Sequence, residues 1–251
     1  LHIQEHTLNS KYSKDYVITP GICDWTVKLG IADTFSLFMD IASEHADELG
    51  IGTQFMAANN MFWLTVRSRV HFIKRPGMMK RVKVSTWPLE ADGLRCIRDY
   101  MICSEEGEVL CEGKTEWTVL DMSTGRPVKM ENVYPEGLEI LKEKLLPEPF
   151  FKVKEDFEDA EILGSYRIRS VDIDLGGHMN NVAYIRAMLG MLPSKRIKEM
   201  NITNVEVTYR KSCYEGEMLD FRMRTLNEPE CTYEIGALNK DGKAVFLAKI
   251  W

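Results

Sequence analysis

The sequence lacks three things that would define its class at once: a basic excess, a long apolar run and closely paired cysteines. Its 32 Lys and Arg against 38 Asp and Glu leave a net charge of -6. A general nucleic-acid binder carries the opposite imbalance, so no nucleic-acid partner is expected. No apolar stretch approaches the roughly 20 residues of a bilayer-crossing helix, so no membrane span is expected either. The opening LHIQEHTLNSKYSKDY is too polar for a secretory signal. Cys23, Cys96, Cys103, Cys111, Cys213 and Cys231 form no C-x-x-C pair, and none stands at ligand spacing from a histidine. That argues against a metal centre or a disulfide framework, and for reduced thiols in the cytoplasm. Asn201-Ile202-Thr203 matches a glycosylation acceptor, but without a secretory route it carries no weight.

What is present is a soluble, globular mix: 251 residues, 45% hydrophobic and 28% charged. That suffices for one large domain or two ordinary ones, each with a sizeable core. The chain says nearly the same thing twice. Tyr16-Val17-Ile18 leads to Asp24, and Tyr166-Arg167-Ile168 leads to Asp174, an offset of 150 in both cases. A helix then follows each aspartate. The first is expected over about 33–49, with Phe38, Ile41, Ala42, His45 and Leu49 on one face and Gly50 as its stop. The second is expected over about 180–192, with Val182, Ile185, Met188, Leu189 and Leu192 inward and Pro193 ending it. Runs with strand character come after both, closing in hairpins at Gly107 and Gly242 whose second strands carry Trp117 and Trp251.

One helix followed by antiparallel strands, repeated, predicts an α+β fold of two tandem units, each a sheet wrapped around a central helix. The N-terminal unit is placed at 1–135, a linker at 136–160 and the C-terminal unit at 161–251. A short helix is expected in PEGLEILKEKLL, residues 135–146.

Between Asp172 and Asn181 the chain concentrates Asp172, Asp174, Gly176, Gly177, His178, Asn180 and Asn181 at a strand-to-helix junction. The two glycines let a ligand approach the backbone and permit positive φ. Unpaired N–H groups at the helix start can hold an oxyanion. His178 and Asp174 bracket the turn, in position to act on a carbonyl held there. The plainer reading gives Asp174 or Asn180 only a capping role. The first-half counterpart Asp24 is followed four residues later by Lys28, not a histidine. One active site per chain, in the second half, is the implication. His45 reads as a core residue, and His2, His6 and His71 have no comparable setting.

Three segments resemble the acyl-acyl carrier protein thioesterases. Asn59-Asn60-Met61-Phe62-Trp63 running to Arg67 is similar to the family's Asn-Asn-x-x-Trp-x-x-x-Arg strand. Ser85-Thr86-Trp87 with Arg95-Cys96-Ile97-Arg98-Asp99 is similar to its Thr-Trp and Arg-Arg-Asp segment. Asp174-Leu175-Gly176-Gly177-His178-Met179-Asn180-Asn181, continuing to Tyr184, resembles its Asp-x-Asn-x-His-Val-Asn-Asn-x-x-Tyr motif. The resemblance extends from about residue 12 to the end and implies a double hotdog fold.

It also implies hydrolysis of fatty acyl-acyl carrier protein thioesters, ending chain elongation, with no cofactor and no metal. Asp174 and His178 would be catalytic, with Cys213 either a nucleophile or a half-buried small residue. Gly176, Gly177, Met179, Asn180, Asn181, Asn60 and Trp63 would bind substrate. The partner would be a carrier protein bearing a fatty acyl chain, met by Lys195, Arg196 and Lys198 after the second helix. A second basic cluster lies at Lys74, Arg75, Lys80, Arg81 and Lys83. Either cluster is equally a solvated surface. A homodimer stays open, as do the rival readings of an acyl-CoA thioesterase, a non-catalytic acyl-binding protein and a hydratase.

Two departures stand out. Gly176 occupies the place of the family's asparagine, and Ser212 that of a glutamate proposed as catalytic in plant members, while Cys213 is retained. Met56, Met61, Met78 and Met79 could line an acyl tunnel in the first unit or fill an ordinary core.

Overall fold

The computed structural model describes residue 8, residues 10–227 and residues 232–251. His2, His6 and Cys231 lie outside the described residues.

The chain runs β1 (Tyr12–Val17), α1 (Ile31–Glu48), α2 (Thr53–Ala58), β2 (Met61–Phe72), β3 (Arg81–Pro88), β4 (Cys96–Ser104), β5 (Val109–Asp121) and the two-residue β6 (Pro127–Val128). After a long connection come β7 (Glu161–Arg167), α3 (Asn181–Gly190), α4 (Ser194–Glu199), β8 (Asn204–Tyr209), β9 (Met218–Leu226), β10 (Thr232–Leu238) and β11 (Ala244–Ile250). The strands form one antiparallel sheet in the order β1-β3-β4-β5-β2-β8-β11-β10-β9-β7, with β6 beside β5. Read outward from its middle, the order is the same for both halves. The two units join where β2 pairs with β8, from Arg67 opposite Thr208 to His71 opposite Asn204.

Each unit buries its helix against the sheet for the reason the period predicts. On α1, Phe35, Phe38, Ile41, Ala42 and His45 are buried, and Phe38 stacks on Tyr100 of β4 at 4.7 Å. Gly113 of β5 makes room for that ring, because a Cβ there would stand 2.3 Å from Phe38 Cε2. On α3, Val182, Ile185 and Met188 are buried. Its bounds differ slightly from expectation. Asn180 caps the helix instead of opening it, and Pro193 caps α4. Trp251 lies one residue beyond β11.

The expected helix at 135–146 does not form. The connection is extended, and side chains of the sheet's outer face take up its backbone. Trp87 donates to the Glu143 carbonyl, Lys114 to those of Leu146 and Glu148, and Arg69 to that of Pro149. Asp99 and Glu206 accept the N–H groups of Leu145 and Phe151. Partners supplied from distant strands replace the bonds a helix would have made within itself. They also explain why Arg69, Lys114, Asp99 and Glu206 are buried although charged.

Candidate active site

The same local device appears at the entrance to both helices. In the second unit the Asp174 N–H donates to the His178 carbonyl and the Gly177 N–H to the Asp174 carbonyl. Asp174 Oδ1 accepts the Gly176 N–H at 2.8 Å and the His178 N–H at 3.4 Å. In the first unit Asp24 bonds Lys28 and Val27 in the same way, and its carboxylate accepts the Thr26 N–H. The fourth residue of the turn needs positive φ in both. Val27 adopts it at 60° under strain, whereas Gly177 adopts it freely at 75°.

The two junctions then diverge. The segment after β2 and the segment after β8 carry matching bonds. Ile73 and Lys74 donate to one carbonyl of the neighbouring strand, as Arg210 and Lys211 do. Leu29 donates to the Pro76 carbonyl as Met179 does to that of Cys213. Arg75 is therefore the counterpart of Ser212. In the first unit Arg75 forms an ion pair with Asp24 and donates to Thr26 Oγ1 and the Leu29 carbonyl. Burial alone would raise the Asp24 carboxyl, but hydrogen bonds from Thr26 and Arg75 outweigh it and hold the group below the usual carboxylate range. In the second unit no cation among the described residues pairs with Asp174, and short Ser212 leaves it open to a cleft.

That cleft is walled by Met39 and Asp40 of α1, Phe62 to Val66 of β2, Trp117, the junction residues Asp174 and His178, and Lys211 and Ser212. Both units contribute apolar and polar side chains to this lining, and such a mixture is the composition of a small-molecule site. His178 is half-buried, with its ring 5.1 Å from that of Tyr214. Its side chain makes no direct hydrogen bond to Asp174 among the described residues. Instead the two groups flank Gly176, whose ideal Cβ would stand 3.2 Å from Asp174 Oδ1 and 3.3 Å from His178 Nδ1. A side chain at this position would reach both groups, so glycine here leaves them facing each other across a gap.

The expected binding residues separate into two sets. Asn180 spends its side chain on the Val182 N–H at 2.8 Å. The Asn181 N–H has no acceptor among the described residues, as is usual at a helix start, and Asn181 is one of the residues lining the same cleft. Met179 is buried behind the turn and contributes to the cleft wall. Trp63 is part of the wall, with its indole N–H held by the Ile51 carbonyl at 3.0 Å. Asn60 does not line the cleft; it takes φ 52° in the turn between α2 and β2 and accepts the Met122 N–H.

Cys213 is buried to 1% exposure and is absent from the cleft wall, where its neighbour Ser212 stands. Burial pushes its thiol up from the ordinary value, which suppresses the thiolate a nucleophile requires. Lys195, Arg196 and Lys198 sit on α4, beyond the end of α3 opposite the junction. Arg196 is held by Glu161 through two bonds, and Lys195 approaches Glu199 at 3.9 Å. Arg75, in the second basic cluster, is spent on Asp24. His45 is fully buried and His71 lies 3.3 Å from Glu112, outside the cleft. Met56 and Met61 pack in a small core beside Trp63, and Met78 and Met79 are exposed.

Sequence reading missed Trp117 and Tyr214. The signal for Tyr214 was its place beside Cys213. Trp117 was visible only as a hairpin residue, because its neighbours come from β2 and β4. Among the described residues no group of three or more His, Cys, Asp and Glu is placed to hold a metal ion.

Two family models cover most of the chain: the acyl-ACP thioesterase N-terminal domain matches residues 9–138 and the C-terminal domain residues 155–250. The chain belongs to the acyl-ACP thioesterase family. An oleoyl-acyl carrier protein thioesterase of Arabidopsis thaliana is 24% identical over 220 residues, covering 81% of this chain and 59% of that protein. A palmitoyl-acyl carrier protein thioesterase of Gossypium hirsutum is 27% identical over 175 residues, covering 66% and 42%. The chain thus spans 59% of the length of the first of these curated relatives and 42% of the second. An acyl-ACP thioesterase structure from Bacteroides thetaiotaomicron superposes with a TM-score of 0.81 at 18% identity, covering 96% of this chain and 97% of that one. A 12:0-ACP thioesterase from Umbellularia californica gives 0.79 at 17%, with 96% of each chain covered. The fold is the tandem hotdog.

Proposed function

We propose that this chain hydrolyses fatty acyl thioesters carried on acyl carrier protein, releasing the free fatty acid and ending elongation. The observation that carries the reading is the asymmetry of the two junctions. The first is closed by Arg75 on Asp24, while the second leaves Asp174 and His178 facing a cleft.

His178 is the base in this reading, because an imidazole is a stronger base than a carboxylate and is the side chain that most often serves as a general base. It takes the proton of a water as the oxygen adds to the thioester carbon. The Asn181 N–H stabilises the oxyanion so formed. Collapse of the tetrahedral intermediate breaks the carbon–sulfur bond, and the imidazolium returns its proton to the departing thiolate. Asp174 shapes the turn through the Gly176 and His178 N–H groups and presents its remaining oxygen to the water. With Cys213 buried, no acyl-enzyme is formed.

The carrier protein docks, in the same proposal, against the α4 cations. Arg196 is spent on Glu161, so Lys195 and Lys198 are the useful pair. Reversing both charges raises KM for the acyl carrier protein substrate about two- to tenfold, with a small acyl thioester unaffected; an equal effect on both removes α4 from the interface. Free thiols at Cys23, Cys96, Cys103, Cys111 and Cys213 support a reducing compartment, the cytoplasm of the sequence-based expectation.

Thiol release measured on matched carrier and CoA thioesters tests the function. Faster turnover of the carrier series supports it. Preference for CoA favours the acyl-CoA thioesterase, and binding without release favours an acyl-binding protein.

A further inference from the structure

Two turns meet at the outer corner of the first unit. One runs from Asp24 to Lys28, with Trp25 and Thr26 at its tip. The other runs from Gly77 to Lys80, with Met78 and Met79 at its tip, and closes by the Lys80 N–H donating to the Gly77 carbonyl. Lys28 bridges to Gly77, and the Met78 N–H donates to the Val27 carbonyl, so the tips lie side by side.

The second unit repeats both turns. The Met79 N–H donates to the Ile18 carbonyl and the Ile18 N–H to that of Lys80. In the same way the Gly216 N–H donates to the Ile168 carbonyl and the Ile168 N–H to that of Glu217. Met78, Met79 and Lys80 are therefore the counterparts of Glu215, Gly216 and Glu217. The backbone makes one demand in both units: φ is 60° at Val27 and 61° at Met79, 75° at Gly177 and 85° at Gly216. Glycine meets it without strain, and turn tips ordinarily carry glycine or short polar residues. The first unit holds apolar side chains there instead, and leaves them in water. Trp25 and Val27 are each 53% exposed, Met78 41% and Met79 62%. Exposed apolar groups on strained backbone mark a surface made for a partner.

Charge identifies the partner. The chain carries -6 overall, yet residues 73–83, IKRPGMMKRVK, hold five cations and no carboxylate. Arg75 is spent on Asp24, and Arg81 and Lys83 share a groove with Asp15 and Glu105. Lys28, Lys74 and Lys80 are exposed and have no ion-pair partner among the described residues; Glu106 feels Lys80 only at a distance. Apolar tips ringed by lysines suit a surface that is anionic outside and apolar beneath. Protruding turn tips also suit a fluid surface, which closes around them, better than a partner of fixed shape.

We propose that this corner seats the protein on an anionic lipid surface, with Trp25, Val27, Met78 and Met79 at the headgroup boundary and Lys28, Lys74 and Lys80 against the phosphates. The seat is independent of the hydrolase reading; only its benefit rests on that reading. A released fatty acid, sparingly soluble in water, would pass directly into lipid.

Sedimentation of the protein with vesicles of phosphatidylcholine, alone or mixed with phosphatidylglycerol, tests the seat. Binding should need the anionic lipid and weaken severalfold as salt rises from about 0.1 M to about 1 M. Each lysine near such a surface changes partitioning about fivefold. The triple variant Met78→Glu, Met79→Gly, Lys80→Glu writes the second unit's turn into the first and relieves the strain at Met79. It should keep its Tm and its rate on a soluble short acyl thioester, and lose at least about tenfold in partitioning. Spin-labelled lipid should quench fluorescence that Trp25→Phe lacks. Wild type that ignores mixed vesicles, a triple variant that binds them equally, or quenching unchanged in Trp25→Phe overturns the proposal. So does a wild type that binds acidic carrier protein or a second copy of itself through this corner and leaves vesicles alone. Should the triple variant not fold, Lys80→Glu alone decides, with a loss of about fivefold or more expected. Vesicle binding without any hydrolysis leaves the seat standing and removes the hydrolase reading.

Discussion

The turn at Asp24 and the turn at Asp174 share a hydrogen-bond pattern and differ in what lies opposite. Arg75 answers Asp24 in the first unit, while Ser212 leaves Asp174 unanswered in the second. Lys28 in one becomes His178 in the other. Duplication supplied two equivalent scaffolds, and a few substitutions made one a structural clasp and the other an open site. A repeated fold element is therefore no guide to function until its long-range partners are known.

The comparison can be broken most directly at the open turn. Removing a general base costs about a hundred- to ten-thousand-fold in rate, so His178→Ala should lose activity on that scale while melting normally. Asp174→Asn should also be severely impaired. An active His178→Ala would reduce the junction to a helix start.

Transplanting the clasp is the sharper test. Ser212→Arg puts into the second unit the residue that closes the first. The guanidinium should pair with Asp174 and fill the cleft, lowering kcat/KM about a hundredfold without loss of Tm. Retained activity would show that Asp174 need not be free.

Opening the clasp should touch stability alone. Arg75→Met removes a charge-assisted pair and should cost about 1.5–3 kcal/mol with kcat unchanged. The effect has a pH signature. The folded Asp24 carboxyl is depressed, so its contribution is present above the unfolded value of about 4 and is lost as pH falls through the folded value. Wild-type denaturation curves should steepen below about pH 4, and those of Arg75→Met less so.

The smallest effect is expected at Cys213. Cys213→Ala should keep kcat within a few-fold, accumulate no acyl-enzyme and lose about 1 kcal/mol to the small cavity. An acyl group trapped on the sulfur would displace water as the nucleophile.

Sequence alone determined what is set within a few residues. The turn from Asp174 to His178, the Asn180 cap, the inward face of α1 and the hairpins at Gly107 and Gly242 all follow from side-chain period, cap chemistry and tolerance of positive φ. The duplication was legible too, since both units start from the same pattern. What sequence left open was every pairing made across the fold. The clasp joins residues 51 apart. Cys213 reads as a candidate nucleophile until the fold turns it inward. The stretch at 135–146 has helix-forming residues, yet Trp87, Asp99 and Lys114 capture its backbone from the sheet. Likewise, Arg98 is one more arginine in a strand until His45 of α1 and Thr86 of β3 accept from its guanidinium. Local propensity amounts to tenths of a kcal/mol per residue, whereas a buried charge needing a partner involves several. Where the two compete, the tertiary structure decides.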